Sequence, residues 1–157
     1  MRTRRALVAM AACAALAAMA VPASGGGAQL TKGQFYTFAA GPSLGYEVEG
    51  HATMVRTPEG TIVVVNANGL EPGATYGSHV HNQACGDGDA GGHYSFGEPV
   101  PGGAAADGSE IWPGPFVANS GRHVVGQTTV GAVAGPEAVS IVIHAPSGAK
   151  IACADLS

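Results

Sequence analysis

Charged residues are scarce in this chain, and positively charged ones are the scarcest. Only 11% of the 157 residues are charged, and seven lysines and arginines stand against eleven acidic residues. A chain with so few cations is poorly suited to bind a phosphate backbone, so we expect no nucleic-acid partner. Long stretches with the 3.6-residue periodicity of amphipathic helices are also missing, which argues against a helical fold.

The N-terminus has the pattern of an export signal. Three arginines within residues 2–5 precede an alanine-rich apolar run over residues 6–21, which is too short for a membrane span of about 20 apolar residues. A small-residue cleavage site follows at Ala23. We therefore predict that residues 1–23 are a signal peptide, of the general or the twin-arginine type. We then expect the mature protein to be secreted, periplasmic or associated with the cell envelope, with no membrane span.

Cleavage would change both the charge and the cysteine content. Four basic residues remain against eleven acidic ones, for a formal charge of −7, and the three cysteines become two, Cys85 and Cys153. An even number of cysteines in an exported protein favours a disulfide between them. Closing so long a loop could contribute roughly 4 kcal/mol to stability in the chain-entropy model.

Glycine and proline divide the rest of the chain into short segments rich in Val, Ile, Thr, Tyr and Phe. We interpret residues 24–32 as a flexible leader and residues 33–157 as one all-β domain, an antiparallel sandwich or barrel of about eight strands. Residues 82–109 form a long, glycine-rich loop, and loops of this length in compact domains are usually functional or disordered. The strands are predicted near residues 33–39, 46–56, 61–67, 75–81, 115–118, 122–130, 138–144 and 149–155.

Four histidines predict a metal site. His79 and His81 are one residue apart on a predicted strand, so both side chains point to the same face and can reach one ion. His93 lies in the long loop, and His144 ends an apolar strand where a polar imidazole needs a partner. All-imidazole sites suit Cu, Zn, Fe or Ni, and Cu(II) binds most tightly among divalent ions.

Other interpretations of the histidines were weighed. His51 and His123 each lie on a predicted strand without a partner, and we interpret them as ordinary polar residues. A cupin site also begins with His-x-His, but a glutamate usually follows within a few residues, and residues 82–85 contain none. A β-sandwich adhesion module would leave the four histidines without a role.

Five segments follow one another in order across most of the predicted mature chain. They are Gly77-Ser78-His79-Val80-His81, Cys85-Gly86, Ala90-Gly91-Gly92-His93, Ser140-Ile141-Val142-Ile143-His144 and Gly148-Ala149-Lys150-Ile151-Ala152-Cys153. Together they resemble the copper/zinc superoxide dismutase family. The resemblance implies a Greek-key β-sandwich or barrel. It implies that His79, His81, His93 and His144 are copper ligands, and that Cys85 and Cys153 form the disulfide tying the ligand loop to the last strand.

The chain departs from the family pattern at the zinc site. Members that bind zinc have two more histidines and an aspartate after the position of His93, whereas this chain has no histidine between Tyr94 and Gly121. The resemblance is therefore to the copper-only branch, and we predict that the zinc site is absent. Glu110 falls near the position of the aspartate. It would either accept a hydrogen bond from His93 and fix its tautomer or be a solvated side chain at the start of a strand.

A second departure is at Lys150, where the family usually has an arginine that attracts the superoxide anion. Lysine keeps the charge but loses the planar fork of five donors, so activity is expected to be reduced. Lys150 is not a ligand, and its removal is expected to leave copper affinity nearly unchanged. His93 is the ligand that the resemblance implies will release the metal and take up a proton during turnover.

The sequence thus predicts an exported, copper-dependent enzyme that converts superoxide to dioxygen and hydrogen peroxide. The alternative is a copper-binding or copper-buffering protein of the same fold without useful turnover. The missing zinc ligands and the lysine at position 150 favour that alternative somewhat.

Overall fold

A computed structural model describes residues 27–157, so the predicted signal peptide lies outside the described residues. Eight antiparallel strands form the domain, as the sequence predicted, and each predicted strand has its counterpart. Short 3-10 turns lie at Pro42–Leu44 and Gly88–Ala90. The strands are β1 (Gln29–Thr37), β2 (Glu49–Thr57), β3 (Gly60–Asn68), β4 (Thr75–His81), β5 (Phe116–Val117), β6 (His123–Val130), β7 (Ser140–His144) and β8 (Lys150–Asp155).

The strands form one sheet that curls into a nearly closed barrel. Their order is β5-β4-β7-β8-β1-β2-β3-β6. The ends of the sheet meet where Phe116 of β5 lies against Gly126 of β6, so closely that a side chain on Gly126 would overlap the phenyl ring. The consecutive strands β4, β5 and β6, with β7 returning to pair with β4, make a Greek key.

One wall of the barrel, formed by β1, β2, β3 and β6, has an outer face open to solvent. In β3 the side chains of Val63, Val65 and Ala67 point inward and are fully buried, while those of Val64 and Asn66 point outward and are partly exposed. This two-residue alternation is the pattern of a strand with one buried face. Burying a valine side chain typically stabilises a fold by about 1.5–3 kcal/mol, and this row holds the wall to the core.

The opposite wall is covered on its outer face as well. All five residues of β7 are buried, because the first part of the long loop, residues 83–93, lies across this wall. The loop is attached to the strands beneath it: the Ser140 hydroxyl donates to the Gln83 carbonyl at 2.7 Å, and the Cys85 amide donates to Asp155 Oδ1 at 2.7 Å. The wall consisting of β4, β7 and β8 together with this loop is called the covered wall below, and that of β1, β2, β3 and β6 the open wall.

The predicted disulfide between Cys85 and Cys153 is confirmed. It joins residues 68 positions apart and links the covering loop to β8. Both sulfurs lie in a small apolar cluster with Phe38, Ala90 and Val142, outside the main core. The disulfide therefore fixes the start of the loop against the outer face of the covered wall.

The predicted leader is wrong over residues 29–32. These residues belong to β1, where they pair with residues 53–56 of β2. Their backbone amides gain partners in the sheet, but the side chains of Gln29, Leu30 and Lys32 remain exposed. Because no alternation of buried and exposed side chains marks this stretch, the sequence carried no strand signal there.

No helix among residues 27–157 is long and apolar enough to cross a membrane.

Candidate metal centre

The four histidines predicted as ligands converge on the outer face of the covered wall. One ring nitrogen from each can be chosen so that all four lie within 4.8 Å of one another. His79 and His81 are on β4, and His144 is the last residue of β7, paired in register with Gly77. Among the described residues, no other group of three or more His, Cys, Asp or Glu side chains comes together in this way.

His93 reaches the cluster because the loop returns to β4 at this point. His93 forms an antiparallel bridge with His81. On either side of it the Tyr94 amide donates to the Val80 carbonyl at 2.8 Å, and the Asn82 amide donates to the Gly92 carbonyl at 3.1 Å. Tyr94 is buried in the main core, so His93 is held by both backbone pairing and packing.

Hydrogen bonds determine which nitrogen of His81 and of His144 carries the proton. His81 Nδ1 lies 3.2 Å from the Ala90 carbonyl, and His144 Nδ1 lies 3.0 Å from the Gly148 carbonyl. Carbonyls only accept, so each Nδ1 is the donor and each Nε2 carries an unshared pair. The two Nε2 atoms are 3.3 Å apart and face each other. Two unshared pairs at this distance repel unless a cation lies between them.

His79 contributes a nitrogen with no partner. Its Nδ1 is buried and makes no hydrogen bond. A buried polar atom without a partner typically destabilises a fold by about 1–3 kcal/mol, and a metal ion would satisfy it. The ring of His79 lies 4.7 Å from that of His144, centroid to centroid, and one of its nitrogens is among the four that lie within 4.8 Å of one another. The residues present therefore fit a metal ion.

Burial keeps these imidazoles in the neutral form that binds metals. Desolvation is the largest cause and repulsion from the neighbouring histidines the next. Together they lower the pKa of His79 to about 3 and that of His81 to about 3. Burial also lowers the pKa of His144. Near neutral pH no proton competes for their unshared pairs, and neutral imidazole is the ligand form for a metal.

Glu110 holds the outer nitrogen of His93. Its Oε2 accepts a hydrogen bond from His93 Nδ1 at 2.7 Å, so it is not a side chain pointing into solvent. The same oxygen accepts from Trp112 Nε1 at 2.6 Å. With Nδ1 engaged, the Nε2 atom of His93 is the one left for the cluster, in the arrangement that commonly orients metal-bound histidines.

Trp112 is a part of the site that the sequence did not predict. Its ring lies 4.7 Å from that of His79 and 6.3 Å from that of His93. Trp112 is two residues after Glu110, and because its Nε1 donates to Glu110 Oε2, both side chains lie on the same side of the chain. The two-residue spacing of Glu110 and Trp112 was the signal available in the sequence. It indicates that Trp112 lies at the site only once Glu110 is known to hydrogen bond to His93, a candidate ligand.

Lys150 lies at the edge of the cluster, opposite His144 in the pairing of β7 with β8. Its ammonium donates hydrogen bonds to the carbonyls of Asp89 and Gly91, the second at 2.7 Å. At least two of its three donors are therefore used within the protein. The remaining histidines do not join the site: His123 Nε2 lies 3.2 Å from Asn66 Oδ1 on the open wall, and His51 is on β2 of the same wall.

No protein-family model matches this chain, and no curated protein matches it at a significant level. What the structure itself defines is a nearly closed antiparallel β-barrel with a disulfide and a four-histidine cluster that could hold a metal ion.

Proposed function

We propose that this protein is an exported, copper-dependent enzyme resembling the copper-only superoxide dismutases. The observation that carries the proposal is the pair of Nε2 atoms of His81 and His144, which face each other at 3.3 Å while both Nδ1 atoms are engaged by carbonyls. Adding His79 and His93 gives four imidazole nitrogens within 4.8 Å of one another, and copper is the divalent ion that such a set binds most tightly.

When bound there, copper would supply one-electron chemistry, taking an electron from one superoxide to release dioxygen and giving it to a second, which leaves as hydrogen peroxide with two protons. His93 would hold one of these protons on Nε2, because Glu110 keeps its Nδ1 proton in place. Burial keeps His79 and His81 neutral, so they act as ligands and not as acids. Lys150 places a positive charge at the edge of the site in a domain that is otherwise strongly acidic.

Export is part of the same proposal. A disulfide such as Cys85–Cys153 is typical of proteins that leave the reducing cytosol. The signal peptide that the sequence predicts over residues 1–23 also supports export. Superoxide made outside the cytoplasm would then be the substrate.

A copper-binding protein without useful turnover is the second candidate, and one observation favours it. The ammonium of Lys150 is hydrogen bonded to two carbonyls, which leaves it fewer donors for an incoming anion than a free side chain would have. The ligand set is the same in both candidates, so only activity separates them.

The test uses the mature, oxidised protein titrated with Cu(II). We expect about one equivalent to bind per chain, and to quench the fluorescence of Trp112, the chain's single tryptophan, because its ring lies 4.7 Å from that of His79. The copper-loaded protein should consume superoxide faster than the same concentration of free aqueous copper. Binding without that excess leaves the copper-binding candidate, and absence of quenching at full loading contradicts the metal position.

A further inference from the structure

The turn over residues 88–91, next to the histidine cluster, has an unfavourable backbone conformation. Gly88, Asp89, Ala90 and Gly91 have consecutive φ angles of 50°, 53°, 64° and 63°. A positive φ brings the Cβ of a residue too close to its own backbone, so Asp89 and Ala90 are both strained. Such a turn persists only where its surroundings hold it in place.

The turn matters because its middle residue contacts a candidate ligand. The Ala90 carbonyl accepts from His81 Nδ1 at 3.2 Å and so keeps the unshared pair of His81 on Nε2, facing the other nitrogens. Ala90 itself is fully buried. If the turn relaxed to negative φ angles, this carbonyl would rotate away, and His81 could carry its proton on either nitrogen.

Lys150 contacts the turn on both sides of Ala90. Its ammonium donates to the carbonyls of Asp89 and Gly91, the residues immediately before and after Ala90. Lys150 belongs to β8, a strand fixed by the Cys85–Cys153 disulfide and by pairing with β7, so the ammonium is presented from a rigid element. Hydrogen bonds from a charged donor are stronger than those between neutral groups, so two of them offset the strain of the turn.

We infer that Lys150 is a positioning residue that fixes the tautomer of His81 by holding the Asp89–Gly91 turn. It acts through the Ala90 carbonyl and touches neither metal nor substrate in this role. The inference replaces the expectation that removing Lys150 leaves copper affinity unchanged: affinity should fall about tenfold, in the range found when groups that orient metal ligands are lost. It rests on the proposed metal site, but its decisive measurement is made on the metal-free protein.

The test compares Lys150→Met, which removes the charge and keeps a long side chain, with Lys150→Arg, which keeps donors for both carbonyls. Lys32→Met is the matched control, because it removes the same charge from an exposed position on β1. ¹⁵N NMR of the metal-free proteins reports the tautomer of His81, and amide exchange reports opening of the turn. Should Lys150→Met fail to fold, Lys150→Gln, which retains one amide donor group, takes its place.

We expect the parent, Lys150→Arg and Lys32→Met to have His81 protonated on Nδ1. Lys150→Met should show a mixture of tautomers, with exchange of the Gly91 and Gly92 amides about tenfold faster, comparable to the loss of one hydrogen bond of about 1.4 kcal/mol. After copper loading, only Lys150→Met or Lys150→Gln should change the Cu(II) electron paramagnetic resonance spectrum.

Retention of the parent's tautomer in Lys150→Met overturns the inference, even if amide exchange increases. A change in Lys32→Met equal to that in Lys150→Met does so as well, because it would assign the effect to net charge. If the parent binds no copper, the proposed function fails, and the tautomer and exchange measurements still decide the role of Lys150.

Discussion

Histidines on the open wall and on the covered wall of the barrel have opposite environments. On the open wall, the ring of His123 is within hydrogen-bonding distance of the amide side chain of Asn66. Neither His123 nor His51 belongs to a cluster of possible metal ligands. On the covered wall, His79, His81 and His144 lie under a long loop that supplies a fourth histidine and carbonyl partners. Covering the strands removes water from the imidazoles and leaves their unshared pairs without partners. The capacity of this cluster to hold a metal ion therefore depends on the covering loop as much as on the histidines.

Removing the disulfide should have the largest effect, because the disulfide attaches the covering loop to β8 of the covered wall. A Cys85→Ser/Cys153→Ser double variant is expected to lower the free energy of unfolding by roughly 4 kcal/mol in the chain-entropy model. Urea unfolding of the metal-free protein measures it. Amide exchange should rise first in residues 82–93 and last in β2 and β3; a uniform rise across both walls would contradict the comparison.

Replacing one histidine on each wall tests the difference directly. His144→Ala should weaken Cu(II) binding by more than about a hundredfold, since it deletes one of four converging nitrogens. His123→Ala on the open wall should leave the affinity within about twofold of the parent, a change within the ordinary range for surface substitutions. Competition with a chelator of known affinity gives both values. Equal losses in the two variants would show that copper is not held at the cluster.

Glu110→Gln tests the hydrogen bond that orients His93, the histidine supplied by the loop. The amide can still occupy the space but has lost the charge that orients the Nδ1 proton of His93. Copper affinity should fall by about tenfold to a hundredfold, and the fluorescence of Trp112, which shares the same oxygen, should change in the metal-free protein. Glu98→Gln removes the same charge from an exposed position in the loop and should do neither.

The smallest effect is the pH dependence of the metal-free protein. Burial lowers the pKa of His79 and of His81 to about 3, whereas both are near 6.5 in the unfolded chain. Between these values the unfolded chain binds more protons, so stability is lost as the pH falls from 6.5 toward 3. Allowing for partial solvent screening, the loss between pH 6.5 and 5 should be on the order of 1 kcal/mol.

Thermal unfolding at several pH values measures this dependence, and His79→Gln should make it shallower. Stability that rises as the pH is lowered through this range would contradict the neutral, desolvated state of the covered-wall histidines.

The strands and the pair His79/His81 could be predicted from the sequence because they depend on local patterns. Alternation of apolar residues marks β3, and two histidines one residue apart on a strand must share a face. That His93 and His144 join that pair was predicted from residue chemistry together with a resemblance, since their spacing along the chain carries no distance information. The contacts of Trp112 and Lys150 were not predicted, because each depends on where a loop without regular structure returns to the sheet.

The start of β1 could not be predicted from the sequence either. Residues 29–32 have exposed side chains and no alternation, yet they form a strand because β2 offers unpaired backbone groups beside them. Backbone hydrogen bonding to β2 makes this segment a strand, and that bonding does not depend on the identity of the side chains.

Local patterns of the chain were enough to predict the all-β class, the candidate ligands and the two cysteines available for a disulfide, because periodicity and residue chemistry are local properties. Tertiary contacts set which nitrogen each histidine presents, make one oxygen of Glu110 accept from both His93 and Trp112, and bring the ammonium of Lys150 to the turn around Ala90. Those features depend on carbonyl directions and on distances of about 3 Å between segments far apart in the chain. Such distances are set by the register of the strands and by the path of the loop that crosses them.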